Sequence, residues 1–182
     1  MKYKKKHNAV VFDFDDTLVW SEKMKRSLFR RLFPQARLGQ ATLNAGDRYQ
    51  IIRKILGKKD RISEKLYDSN YLEKIKKCKK RRAVSKVLKF LELQKISVLI
   101  NSATPQDILR QAVQRTFQNE KFAGIFGGFG KKRENLKWIR SRYEVLFFVG
   151  DTRLDKEIAS VEGVPFLHAR YIRFIPRRIM DR

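Results

Sequence analysis

Asp13-Phe14-Asp15-Asp16-Thr17-Leu18 follows directly on the apolar run of residues 9–12, and this junction decides the fold. A short run rich in Val and Phe that ends in a polar, turn-like cluster predicts a strand surfacing at the carboxyl edge of a parallel sheet. Ligands of open α/β sheets bind at that edge. Side chains two apart on an extended segment share a side, so Asp13 and Asp15 can face one pocket while Phe14 turns into the core. Two carboxylates ~4 Å apart at an effective dielectric of ~20 repel by roughly 4 kcal/mol, so a fold that keeps them together needs a cation. An isolated acidic cluster would more simply cap a turn or a helix. The rest of the chain decides between the two readings.

Behind Leu18 the apolar spacing changes from strand to helix. Ser21 can cap a helix carrying Met24, Leu28 and Leu32, which Pro34 stops. A second helix is expected after Asn44, with Asp47 in its first turn; it buries Ile51, Ile52, Ile55 and Leu56 and ends at Gly57. A third carries Ile62, Leu66, Leu72 and Ile75. A fourth, with Val84, Val87, Leu88 and Leu91, leads into a strand over 96–101. Then come a helix over 105–117, a brief strand over 124–126, a helix over 134–141, a fully apolar strand over 145–149 and a last strand over 164–167. Strand and helix in alternation predict an α/β fold with a doubly wound parallel sheet. Residues 1–19 and 83–182 form its core, and 20–82 a small all-helical insertion with no strand pattern.

Each main apolar run ends in polar groups suited to phosphate or metal. In Asn101-Ser102-Ala103-Thr104-Pro105, Thr104 reads as a helix cap with Pro105 at the first helical position. Ser102 lies ahead of it, its hydroxyl well placed for an anionic oxygen beside the helix-start amides. Gly150-Asp151-Thr152-Arg153-Leu154-Asp155 sets two carboxylates four apart, on one side if the segment is helical. Between them, Gly127-Gly128-Phe129-Gly130-Lys131-Lys132 is a flexible loop delivering a basic group ahead of a helix.

In this order the four elements resemble the haloacid dehalogenase (HAD) superfamily of phosphotransferases, over nearly the whole span from residue 9 to about 168. Two Asp separated by one residue and followed by Thr match Asp13, Asp15 and Thr17; a Ser ending a strand matches Ser102; an acidic pair after a strand and Gly matches Asp151 and Asp155. The family's lysine falls on Lys131 or Lys132, with Lys132 favoured because Lys132-Arg133-Glu134-Asn135-Leu136 is the usual phrasing. The resemblance implies a HAD-like Rossmannoid core with a helical cap over residues 20–82. It implies Asp13 as the nucleophile that forms an aspartyl-phosphate, and Mg²⁺ held by Asp13, Asp151 and the backbone carbonyl of Asp15, with Asp155 behind them orienting the metal site. Asp15 would protonate the leaving oxygen and then activate water, which requires a carboxyl that stays partly protonated. Lys132 and Ser102 would hold the transferring oxygens. The implied activity is a Mg²⁺-dependent phosphomonoester hydrolase acting on a small phosphorylated substrate; a phosphomutase would use the same Asp13 and Asp15.

Other residues take plainer readings. Asp16 shapes the turn; Trp20, Phe29, Phe33 and Trp138 serve packing; His168 ends a strand. The single Cys78 rules out an internal disulfide, and neither His7 nor His168 has neighbours at zinc-ligand spacing. No stretch reaches the ~18 apolar residues of a membrane span. The basic start of the chain is followed by too short an apolar run for a signal peptide, and the protein is expected to be cytoplasmic.

The formal charge is +24, from 43 Lys and Arg against 19 Asp and Glu. Residues 20–95 carry 23 basic and 7 acidic residues, a net +16. Such a field attracts polyanions, so nucleic acid is a candidate partner, either for a binding module on this fold or for a phosphatase that processes nucleic-acid ends. A soluble basic surface without a specific partner gives the same count. Lys76-Lys77-Cys78-Lys79-Lys80-Arg81-Arg82 is the densest basic run, and it lacks interleaved aromatics for base stacking.

Overall fold

The computed structural model describes residues 6–34 and 48–181. Five parallel strands form one sheet: β1 (His7–Phe12), β2 (Ser97–Ser102), β3 (Gly124–Gly127), β4 (Tyr143–Gly150) and β5 (Phe166–His168), in the order β3-β2-β1-β4-β5. β1 is therefore central, paired with β2 from Ala9↔Ser97 to Phe12↔Ile100 and with β4 up to Phe12↔Val149. A register shift between Ala9 and Val10 lets β4 run one residue longer than β1 there.

The period-two alternation of the strands divides the interior into two cores. Val10, Phe12, Val98, Ile100 and Val149 face one way, and Ala9, Val11, Leu99, Val145 and Phe148 the other, all buried. The second face is covered by α6 (Lys132–Arg142) and α7 (Arg153–Val161), through Leu136, Ile139 and Ala159. The first packs α4 (Val84–Leu93) and α5 (Gln106–Thr116), a 3₁₀ segment (Ala169–Phe174) and α8 (Ile175–Met180). Helices on both sides of a parallel sheet make this the doubly wound architecture expected from the alternation. Nothing after β5 has a counterpart in the sequence reading, and α7 has one only at its start, where Asp151 and Asp155 share a side if the segment is helical.

The insertion between β1 and β2 contributes α1 (Glu22–Leu32), α2 (Arg48–Leu56) and α3 (Arg61–Ile75) to the first core. Phe29 of α1 stacks on Tyr67 of α3, ring centroids 4.5 Å apart. The expected start of the second helix after Asn44, with Asp47 in its first turn, lies outside the described residues. The buried face of α3 differs from the one expected: Ile62 is 79% and Leu66 50% exposed, while Tyr67, Asp68, Tyr71, Leu72 and Ile75 are buried. The stripe follows the tyrosines because the insertion packs over the carboxyl edge of the sheet, where a phenol can bury its ring and keep a polar tip.

The chain leaves and rejoins the core at one joint. Trp20 N–H donates to the Lys79 carbonyl (2.9 Å) and Arg81 N–H to the Leu18 carbonyl (2.8 Å), with Val19 and Lys80 forming an antiparallel bridge. That joint absorbs much of the basic run. Lys80 pairs with Glu120 and lies over the Phe117 ring, Arg81 stacks on Trp20, and Lys76 pairs with Glu73. Residues 76–82 are thus not a single free patch.

Of the aromatics read as packing, Phe29 and Phe33 are buried, whereas Trp20 is 52% and Trp138 44% exposed, each ring covered by an arginine. Arg81 and Arg142 shield these rings in place of a core.

β4 ends at Gly150, a position where nothing larger fits. A Cβ there would lie 2.6 Å from Asp155 Cβ and Cγ. Gly150→Ala is expected to destabilise the fold by about 1–3 kcal/mol through this overlap. Urea unfolding measures it, and an unchanged midpoint would contradict the packing described.

Candidate active site

Asp13 is the first residue past β1, and its N–H donates to the Val149 carbonyl at 2.8 Å, which holds the backbone at the carboxyl edge between β1 and β4. Its side chain is buried, and Lys132 Nζ, at the start of α6, donates to its Oδ1 at 2.6 Å. The same ammonium donates to Asp155 Oδ1, also at 2.6 Å. Asp155 is fully buried and belongs to the capping box of α7: its Oδ2 accepts from Thr152 N–H and Oγ1–H, while Asp155 N–H donates to Thr152 Oγ1. Lys132 is held in turn by Asn101, whose Nδ2 donates to the Lys132 carbonyl at 2.8 Å. Lys131 is exposed at the N-cap of α6, so of the two lysines Lys132 is the one in the site.

The carboxylates of Asp13, Asp151 and Asp155 each bring an oxygen within 4.8 Å of the others. Three carboxylates against one ammonium leave a formal charge of −2 at this point. Burial, then the charges of Asp155 and Asp151, push the Asp13 carboxyl up to about 7 against the pull of Lys132. Burial, with Asp155 and Asp16, raises Asp151 to about 6. The donors are hard oxygens and the local charge is uncompensated, which fits a divalent cation of the Mg²⁺ or Ca²⁺ type.

Ser102 ends β2, buried, and its Oγ accepts from Thr104 N–H at 3.3 Å. Thr104 does not cap α5. Pro105 takes the cap position, and Thr104 Oγ1 accepts from Arg48 Nη2 (2.8 Å) and donates to Asp15 Oδ2 (3.0 Å). Ser21 likewise does not cap α1; Asp16 does so, its Oδ1 accepting from the N–H groups of Ser21 and Glu22 at 3.0 and 2.8 Å. Asp16 adopts φ +58°, a turn conformation that Asp tolerates, in keeping with its reading as a turn residue.

The Asp15 carboxylate stands outside the three-carboxylate group and is gripped by the insertion. Its Oδ1 accepts from Ser21 Oγ (2.6 Å) and Tyr71 OH (3.1 Å), with Lys25 Nζ at 3.7 Å and Arg48 Nη2 4.0 Å from Oδ2. Burial would raise its carboxyl, but the charges of Lys25 and Arg48 and the hydrogen bonds from Ser21 and Thr104 outweigh that and hold it below the usual range. The expected partly protonated Asp15 is therefore not what this arrangement holds: the surrounding donors and cations stabilise the ionised form.

These groups line one cavity of about 570 Å³ between core and insertion, with Asp13, Ser102, Lys132 and Asp151 on one side and Lys25 and Arg48 on the other. Tyr67 lines it too, its hydroxyl buried with no partner among the described residues. Sequence reasoning missed Lys25, Arg48, Tyr67, Tyr71 and Thr104. The one available signal was the spacing of Tyr67 and Tyr71, four apart on one face of a helix.

The sequence matches no protein-family model and no curated protein. Solved structures share its architecture. CbbY from Rhodobacter sphaeroides, solved with phosphate, superposes with a TM-score of 0.74 at 13% identity over 89% of this chain and 85% of its own. A variant of that protein was solved with xylulose-(1,5)bisphosphate. A candidate β-phosphoglucomutase from Thermotoga maritima gives 0.70 at 16% identity, covering 94% and 99%. A haloacid dehalogenase-like hydrolase from Streptococcus pneumoniae gives 0.68 at 22%, covering 89% and 84%. The chain shares the fold of these haloacid dehalogenase-like structures, with a helical insertion after the first strand.

The two raised carboxyls set a stability profile. Because Asp13 and Asp151 hold their protons to higher pH when folded than their ordinary 3.8, the folded state binds more protons between about pH 4 and 7, and stability falls as pH rises through that window. Asp13→Asn removes the larger of the two shifts. Without divalent cations, the melting temperature of wild type is expected to drop relative to Asp13→Asn from about pH 5 to about pH 7. Parallel profiles would contradict the charge balance given for the site.

Proposed function

We propose that the protein is a Mg²⁺-dependent phosphomonoester hydrolase in which Asp13 attacks the phosphoryl group of a small substrate to form an aspartyl-phosphate. The observation that carries this reading is the buried Asp13 carboxylate, fixed by Lys132 at 2.6 Å in a cavity it shares with Ser102 and Asp151. Asp13 and Asp151, with the backbone carbonyl of Asp15, would hold the metal, and Asp155 would fix Lys132 and the helix start behind them. When bound, Mg²⁺ supplies charge neutralisation that lets an anionic nucleophile approach an anionic phosphoryl group.

The chain's own residues divide the remaining work. Lys132 favours the ionised form of Asp13 against the pull of burial and offers positive charge to the transferring oxygens, and the Ser102 hydroxyl orients one of them. Asp15 carries the proton for both halves, to the leaving oxygen and then from water. Its ionised state is the one the second half needs. For the first half it must carry a proton, the one it takes from the attacking water at the end of one turnover and gives to the leaving oxygen at the next, and displacement of one of the insertion's donors would favour its retention.

Residues 20–82 act as a cap: the chain enters and leaves them at one joint, α3 rests on α5 through Arg115 and the Leu72 carbonyl, and they bring Lys25 and Arg48 to the cavity. The unpartnered Tyr67 hydroxyl supports a substrate whose leaving group bears a hydroxyl or anionic group of its own.

Asp13→Asn is expected to lower hydrolysis of p-nitrophenyl phosphate by roughly 10⁴-fold or more without loss of folding, and chelation of divalent cations to abolish turnover in the wild type. Undiminished turnover in the folded variant would overturn the mechanism. A beryllium fluoride complex is expected to contact Asp13, Ser102 and Lys132.

A further inference from the structure

The segment after β5 builds a surface of a different kind. The 3₁₀ segment Ala169–Phe174 buries Ala169 and Ile172, and Ile175 continues the period of three into α8. Side chains three apart eclipse one another in a 3₁₀ helix. The two remaining rows are therefore Arg170 with Arg173 and Tyr171 with Phe174, all exposed. The rings are 40% and 38% exposed, with centroids 6.3 Å apart. Each lies beneath the neighbouring guanidinium, Arg170 at 4.7 Å from the Tyr171 centroid and Arg173 at 4.6 Å from that of Phe174. Arg177 and Arg178 extend the basic row, and Asp181 is the one acidic residue between 169 and 181.

The same pairing recurs at the joint, where Arg81 lies 3.8 Å from the centroid of the 52% exposed Trp20 ring. His168 lies within electrostatic reach of both arginines. It ends β5 in register with Gly150, and burial, then the charges of Arg170 and Arg81, hold its imidazole below its ordinary value. Arginine-backed aromatic rings thus border the carboxyl edge of β4 and β5.

We propose that this surface binds single-stranded nucleic acid, with Tyr171, Phe174 and Trp20 as stacking platforms and Arg170, Arg173, Arg177 and Arg178 on the phosphates. Rings that accept bases of any kind, beside cations that follow a backbone, suit an unpaired strand, whose bases are free to stack. A duplex offers phosphates but no open base faces. A membrane surface would want apolar side chains reaching down freely, whereas here each ring is held flat under a guanidinium and the apolar face of the segment is already in the core. The excess charge of +24 supplies the long-range attraction. The basic run 76–82, by contrast, spends Lys80 and Arg81 in the joint. The proposal does not rest on the phosphatase reading.

The test is fluorescence anisotropy of the full chain with labelled RNA and DNA oligonucleotides of about twelve nucleotides, from about 50 to about 200 mM salt. Wild type is expected to bind with log affinity falling linearly in log salt. Arg170→Ser with Arg173→Ser should flatten that slope by about 1.4, as for two single-strand phosphates. Tyr171→Leu with Phe174→Leu keeps apolar bulk and removes the rings; it should weaken binding by about tenfold or more at an unchanged slope. Lys58→Ser with Lys59→Ser, an exposed pair elsewhere, serves as the charge control, and thermal unfolding checks each variant. The proposal is overturned by absence of binding near 50 mM salt or by an aromatic variant of wild-type affinity. It is equally overturned by a control pair as damaging as the arginine pair, or by capture on phosphatidylserine vesicles with no binding to either oligonucleotide.

Discussion

Lys132 holds the carboxyl edge of the sheet together. One ammonium, 8% exposed, accounts for Asp13 just past β1 and Asp155 on α7 at once, and it does so from the start of a third element, α6. Removing a partner from a buried ion pair costs about 3–5 kcal/mol, because the charge left behind has neither water nor a counter-ion. Here two carboxylates would be left. The surrounding order follows from that requirement: Asn101 ties down the Lys132 carbonyl, Thr152 closes the Asp155 box, and Gly150 leaves room for the Asp155 side chain. Lys132 nevertheless neutralises only one of the three charges gathered there. The arrangement is stable enough to exist and still deficient in positive charge, which is the condition a cation site must meet.

The second carboxylate of the first motif obeys the opposite rule. Asp15 has more donors and cations than it can use, from Ser21, Thr104, Tyr71, Lys25 and Arg48. All but Thr104 belong to the insertion. Asp13 and Asp15, two residues apart, are thus set in different electrostatic surroundings by different parts of the chain. Divergent environments for paired carboxyls separate a nucleophile from a proton carrier. They also tie the ionisation of Asp15 to the position of the insertion, since any movement of α3 or α1 changes its partners.

What the sequence showed and what it hid follow from range. The strands, the insertion and the four polar strand ends depend on period-two runs and local polar clusters, and these were legible. So was Lys132 over Lys131, through the start of its helix. The caps were not: Thr104 and Ser21 have ideal cap chemistry, but each hydroxyl is used by Asp15, 89 and 6 residues away along the chain. A tertiary acceptor outbids a local amide when the acceptor is a buried carboxylate, because charged hydrogen bonds are roughly twice as strong. The face of α3 was misread for a related reason. Its apolar residues suggested one stripe, but Tyr67 faces the cavity and Tyr71 is buried with its hydroxyl on Asp15, and these two displace Ile62 and Leu66 to the surface.

Net charge hides even more. A count of +24 treats every cation alike, yet the fold sorts them into separate uses. Lys132, Lys25 and Arg48 neutralise buried carboxylates and are unavailable to any outside polyanion. Lys80 and Arg81 close the joint between insertion and core. The arginines after β5 remain at the surface, with aromatic rings beside them. Density of charge along the sequence is thus a poor guide to accessible charge: the run 76–82 is densest but partly spent on structure, while Arg170, Arg173 and Arg178 stay exposed because the helical period turns the isoleucines inward, with Arg177 beside Asp181. For a polyanion, accessible cations at a spacing set by backbone geometry matter more than their number, and only the fold determines that spacing.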